Sequence, residues 1–143
     1  MLEGMIITPL KRIETPKGDV FHALKNSDNG YDGFGEAYFS TVNQGEIKGW
    51  KKHIVMVLNL IVPLGAIRFV AYDERESSQT CGDFYEIEIS STNYSRLTVP
   101  PGIWLAFQGR SANNMLLNIA SIEHEPSEAI NMNIEDLKYS WEG

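Results

Sequence analysis

The sequence predicts an all-β fold, a double-stranded β-helix or jelly-roll barrel forming one domain over residues 1–143. Three observations carry that prediction. Short apolar runs recur at roughly the 8–12-residue spacing of sandwiches and barrels. Turn-forming residues punctuate them. Helical character is confined to a short tail, about Ser127 to Asp136.

In chain order, the first run is Glu36 to Val42, ended by Asn43-Gln44-Gly45. Ile54 to Val62 follows, and Pro63-Leu64-Gly65 turns it into Ala66 to Tyr72, so the two read as a hairpin. Phe84 to Ser90 alternates cleanly, with Tyr85, Ile87 and Ile89 on one face and Glu86 and Glu88 on the other. Arg96 to Val99 meets Pro100-Pro101-Gly102, a sharp turn into Ile103 to Phe107. Ser111-Ala112-Asn113-Asn114 then leads into Met115 to Ile122. Two such sheets enclose a cavity lined by inward-pointing residues. Unpaired edge strands are a liability, and pairing them between two copies predicts a homodimer.

At 143 residues the chain is long enough to bury about two-thirds of its unfolded surface in a single core. A net charge of −7 argues against a nucleic-acid partner, which needs a cationic footprint. The single cysteine, Cys81, cannot form an internal disulfide and fits a reducing compartment. The apolar run from Ile54 to Leu64 is broken by Asn59 and Pro63 and is too short to span a bilayer. The expectation is a soluble, cytoplasmic protein without a membrane partner.

The richest stretch is Gly45 to Gly82, where ionisable residues flank apolar strands. If Gly49 to His53 is extended, Gly49, Lys51 and His53 share one face and Trp50 and Lys52 the other. A lysine and a histidine facing inward are costly without partners, which is the argument for a site. At the rim, in water, they would need no function. A lysine acting as a base must lose its proton, and the neighbouring cations Lys48 and Lys52 favour that loss. Asp73-Glu74-Arg75 offers either a strand-end ion pair or a bidentate clamp for a diphosphate, with Ser77, Ser78 and Thr80 as hydroxyl donors. Trp104 either packs or stacks on a ligand ring. His22, His53 and His124 are the only histidines and form no His-x-His pair, so neither a metal nor a cofactor is expected.

These motifs resemble the dTDP-4-dehydrorhamnose 3,5-epimerase family, over about Thr15 to Trp141. Lys48-Gly49-Trp50-Lys51-Lys52-His53 looks like the family's Arg-Gly-Leu-His-x-Gln. Asp73 through Gly82 is similar to its Asp-x-Arg-x-x-Ser-Pro-Thr-x-Gly, with Gln79 at the proline. Val99 through Phe107 resembles its Ile-Pro-x-Gly-Phe-Ala-His-Gly-Phe. Lys17-Gly18 looks like the family's nucleotide-contacting Arg-Gly, and Glu36 stands where it keeps a glutamine. The departures fall on chemistry: Lys51 stands at the catalytic histidine, Leu105 at a second histidine, and Ile122 to Pro126 lacks the family's tyrosine.

The resemblance implies a cupin-like barrel and a nucleotide-linked 4-keto-6-deoxyhexose as ligand. Its reaction removes and returns a proton beside the ketone, in surface polysaccharide synthesis. For that reaction this sequence offers Lys51 or His53 as the candidate base, His124 as the candidate opposing acid and Lys48 as the candidate cation near the enolate. Arg75 and Lys17 would hold the diphosphate, with Glu36, Asp73 and Trp104 completing the substrate set. The changed residues leave a second reading open, a sugar-nucleotide-binding homologue without turnover that acts as a scaffold or regulator. Whether Lys51 and His124 face each other across one pocket discriminates between the two.

Overall fold

A computed structural model describes residues 1–143. Twelve strands are ordered as β1 (Ile6–Pro9), β2 (Arg12–Ile13), β3 (Val20–Phe21), β4 (Glu36–Thr41), β5 (Ile47–His53) and β6 (Leu58–Leu64), then β7 (Ala66–Asp73), β8 (Phe84–Ser90), β9 (Ser95–Val99), β10 (Ile103–Gly109), β11 (Met115–Ala120) and β12 (Ala129–Asn131). A first sheet has the order β1-β9-β6-β11-β4 and a second β12-β5-β10-β7-β8, with β2 and β3 as a separate ribbon. Within the two large sheets, neighbouring strands are antiparallel. From β4 onward the chain changes sheet at every connection except β7 to β8. That alternation makes the all-β jelly roll.

The expected hairpin between β6 and β7 is a corner instead, because β6 lies in the first sheet and β7 in the second. Gly65 turns it with φ +81°, where a Cβ would lie 2.1 Å from the carbonyl oxygen of Asn113. The buried side chain of Asn114 pins this end, accepting from the N–H groups of Ala66 and Ser111 and donating to the carbonyls of Val42 and Ser111.

Two further expectations shift. The run expected from Ile54 joins the sheet only at Leu58, since the N–H groups of residues 54–57 go to Glu128 and Ser121 rather than to a strand. The tail is not helical. Pro126–Glu128 and Ile134–Asp136 are single 3-10 turns, and β12 between them pairs Ala129 with His53 and Asn131 with Lys51.

Alternation sorts the side chains into two apolar layers. Leu58, Leu60 and Val62 of β6 meet Ile67, Phe69 and Ala71 of β7 between the sheets. On the outer face of the second sheet, Trp50, Val70, Trp104 and Ala106 are covered by the C-terminal segment through Met132, Leu137, Tyr139 and Trp141. Trp50 is fully buried there, and its indole N–H donates to the Ile134 carbonyl at 3.1 Å.

Candidate functional site

A cavity of about 310 Å³ lies between the sheets. Tyr38 and Ser40 of β4 and Asn118 of β11 line it from the first sheet, and Lys48, Lys51 and His53 of β5 from the second. Leu58, Leu60, Leu105, Phe107 and Leu116 supply its apolar surface. A few polar groups converging in an apolar concavity is the usual form of a small-molecule site.

The lysines meet there because β5 bulges. Lys51 pairs with Leu105 and Lys48 with Phe107, so Gly49 and Trp50 together oppose the single residue Ala106. Strict alternation would set Lys48 and Lys51 on opposite faces, and the extra residue brings both to the cavity. Gly49 permits the close approach: its φ is +144°, and a Cβ would sit 2.5 Å from that of Ala106 and 2.9 Å from the Leu105 carbonyl oxygen. Lys48 Nζ donates to the Thr41 carbonyl at 2.6 Å and to Ser40 Oγ at 3.3 Å.

His53 is held from behind. Its Nδ1 lies 2.7 Å from Glu128 Oε1, while Glu128 Oε2 accepts the N–H groups of Val55 at 3.0 Å and Met56 at 2.8 Å. Burial raises the Glu128 carboxyl, but the hydrogen bonds from His53 and those two amides outweigh it and hold the group below its ordinary range. An ionised Glu128 can only accept, so Nδ1 donates its N–H to it and Nε2 is the free ring nitrogen of a cavity-lining side chain. Glu128 was not expected from sequence, since it lies 75 residues from its partner in no recognisable motif. On the facing wall, Asn118 Nδ2 donates to Tyr38 Oη at 3.0 Å.

Of the expected site residues, Lys48, Lys51 and His53 come together, and the others stand outside the cavity lining. His124 is exposed, and its backbone N–H donates to the Glu36 carboxylate, so Glu36 and His124 tie a loop to the start of β4. His124 therefore does not face Lys51 across the pocket. Asp73 is fully buried and accepts from Arg75 Nε at 2.9 Å, Ser78 Oγ at 2.6 Å and Thr80 Oγ1 at 2.6 Å, closing a strand-end knot. The second terminal nitrogen of Arg75 bonds Asp73 and the Glu3 carbonyl. Trp104 packs in the outer layer beneath the Lys52 ammonium, which pairs with Glu74 at 2.6 Å. Lys17 is exposed on the turn joining β2 to β3. No three His, Cys, Asp or Glu side chains converge in a way that would hold a metal.

The fold and its lining define a jelly-roll protein with a cavity of small-molecule size between its sheets. Residues 2–142 match the family described as dTDP-4-dehydrorhamnose 3,5-epimerase, and the chain belongs to that family. A dTDP sugar isomerase from Desulfovibrio desulfuricans G20 superposes with a TM-score of 0.93 at 31% identity, covering 99% of this chain and 94% of that one. The spore coat polysaccharide biosynthesis protein SpsL of Bacillus subtilis is 26% identical over 103 residues, 72% of this chain and 68% of that protein. The probable low-salt glycan biosynthesis epimerase Agl13 of Haloferax volcanii is 27% identical over 73 residues, 50% of this chain and 47% of its own length. The chain thus matches about half the length of the Haloferax relative. No helix is long and apolar enough to cross a membrane.

Proposed function

We propose that this protein is an isomerase that removes and returns a proton beside the ketone of a dTDP-linked 4-keto-6-deoxyhexose. Its setting is the synthesis of surface polysaccharide, O-antigen included. The observation that supports this reading best is the His53–Glu128 pair at the cavity wall, beside Lys48 and Lys51. His53 Nε2 takes the proton from the carbon next to the carbonyl, and Glu128 stabilises the imidazolium that forms. Lys48 and Lys51 offset the negative charge of the enolate and the diphosphate, against the overall charge of −7. Lys51 serves as a cation in this scheme, beside Lys48 on the same wall, while Lys52 is committed to Glu74 on the opposite face.

The reaction is tested by incubating the protein with a dTDP-linked 4-keto-6-deoxyhexose in deuterated water. Deuterium enters beside the ketone with the wild type and not with His53→Asn. Binding without any exchange would leave the second reading, a sugar-nucleotide-binding homologue without turnover. That reading is favoured by Leu105 in the cavity wall, where the family keeps a histidine, and by the exposed His124, which does not face Lys51 across the pocket.

The chain acts as one cytoplasmic jelly-roll unit, paired as a homodimer through an edge strand. Edge strand β4 supports the pairing, since its Phe39 is 64% exposed and Phe34, just before the strand in sequence, is 63% exposed. A monomer in light scattering at micromolar concentration would remove the dimer.

A further inference from the structure

The wall facing His53 holds a pair of polar groups with unused capacity. Tyr38 and Asn118 lie opposite each other on β4 and β11 of the first sheet, whereas His53 is on β5 of the second. Both reach the same cavity. Asn118 is only 7% exposed, and its Nδ2 is spent on Tyr38 Oη at 3.0 Å. Its Oδ1 is buried and has no donor anywhere in the protein. A buried amide oxygen without a donor is rare, and in a ligand cavity it marks a place where the ligand brings the donor. Tyr38 Oη accepts from Asn118, so its own O–H is free to donate. Burial and then the Glu36 charge push the Tyr38 phenol up, which keeps that proton in place near neutral pH. An acceptor and a donor thus stand side by side on one wall, with the histidine on the other.

We infer that Tyr38 and Asn118 form the second half of the reaction site, Asn118 Oδ1 accepting the ring hydroxyl beside the ketone and Tyr38 donating the returning proton. This rests on the isomerase reading. His53 Nε2 removes a proton from carbon, and the C–H electron pair moves into the enolate. The enolate carbon then takes the Tyr38 proton on its opposite face, restoring the ketone. A tyrosinate and an imidazolium remain, and exchange of one proton each with water resets both. Tyr38 is 48% exposed, so water reaches it. It occupies the role expected of His124, from a different strand.

Two measurements decide this. In deuterated water, Tyr38→Phe should still wash deuterium into the substrate, because His53 works alone on its own face. The inverted product should fall on the order of 10²-fold or more. Inversion at the wild-type rate in Tyr38→Phe overturns the assignment and leaves the isomerase reading standing. In calorimetry, the wild type should bind a dTDP-linked 4-keto-6-deoxyhexose about tenfold more tightly than its 3-deoxy counterpart. Asn118→Leu should erase that preference, and Asn118→Asp, which keeps an acceptor oxygen, should retain it. A preference unchanged in Asn118→Leu, or absent in the wild type, overturns the role of Asn118. A wild type that shows no exchange at all overturns the isomerase reading and Tyr38 with it, while the calorimetry still judges Asn118.

Discussion

Glu128 Oε1 lies 2.7 Å from His53 Nδ1, and the other oxygen of the same carboxylate caps the backbone N–H groups of Val55 and Met56. One buried side chain thereby both orients a ring and shapes the turn that ends β5. Glu128→Gln keeps an oxygen for one set of donors but removes the charge. Proton exchange at the substrate should fall about 10–10²-fold with little change in substrate affinity, read as kcat against KM. Glu128→Ala also strands the buried N–H of Met56 and removes the acceptor of the Val55 N–H, and should lower stability by about 1–3 kcal/mol in denaturant unfolding.

The pH dependence of stability follows from Asp73 and Glu128. The Arg75 guanidinium, aided by Ser78 and Thr80, outweighs burial and holds the Asp73 carboxyl far below the carboxylate range. A lowered folded value stabilises above the unfolded value, about 4, and this contribution is lost as pH falls below it. Melting temperature should therefore be flat near neutrality and drop below about pH 4. Asp73→Asn should lose much of that acid-dependent fall.

Arg75 separates a structural from a binding role. It is committed to Asp73, Ser78 and Glu3 outside the cavity. Arg75→Ala should cost about 3 kcal/mol of stability by stranding a buried carboxylate. Affinity for dTDP in calorimetry should stay as in the wild type.

Lys51 and Lys52 are neighbours with opposite surroundings, one lining the cavity and one paired with Glu74 on the outer face. Lys51→Met should weaken dTDP binding about tenfold and flatten its salt dependence. Lys52→Met should leave both unchanged.

Gly49→Ala tests the bulge. A methyl group there meets Ala106 and the Leu105 carbonyl, so the strand must move. The expected loss is about 2–4 kcal/mol in denaturant unfolding, with weaker nucleotide binding because Lys48 leaves the cavity.

Strand positions were legible because alternation and turn residues act locally. Phe84 to Ser90 reads directly as β8, and the inward face shared by Lys51 and His53 follows from a period of two. Partners set by the far chain were not legible. Nothing near Pro63-Leu64-Gly65 tells a hairpin from a corner, since both need a tight left-handed glycine. The bulge needed Ala106 opposite Gly49, and the His53–Glu128 pair needed β12 beside β5. Asp73 and Arg75 read equally as clamp or knot until Ser78 and Thr80 close over the carboxylate.

Because the chain crosses between sheets at nearly every turn, the walls of the cavity draw on residues from Tyr38 to Asn131. A ribosome must therefore release most of the polypeptide before the cavity is complete, because Leu105, Phe107, Leu116, Asn118 and Asn131 finish walls begun between Tyr38 and Leu60. Long-range pairings of this kind slow folding and leave β edges bare meanwhile. Ligand capture by a nascent or refolding chain would accordingly be an all-or-nothing report on the finished barrel.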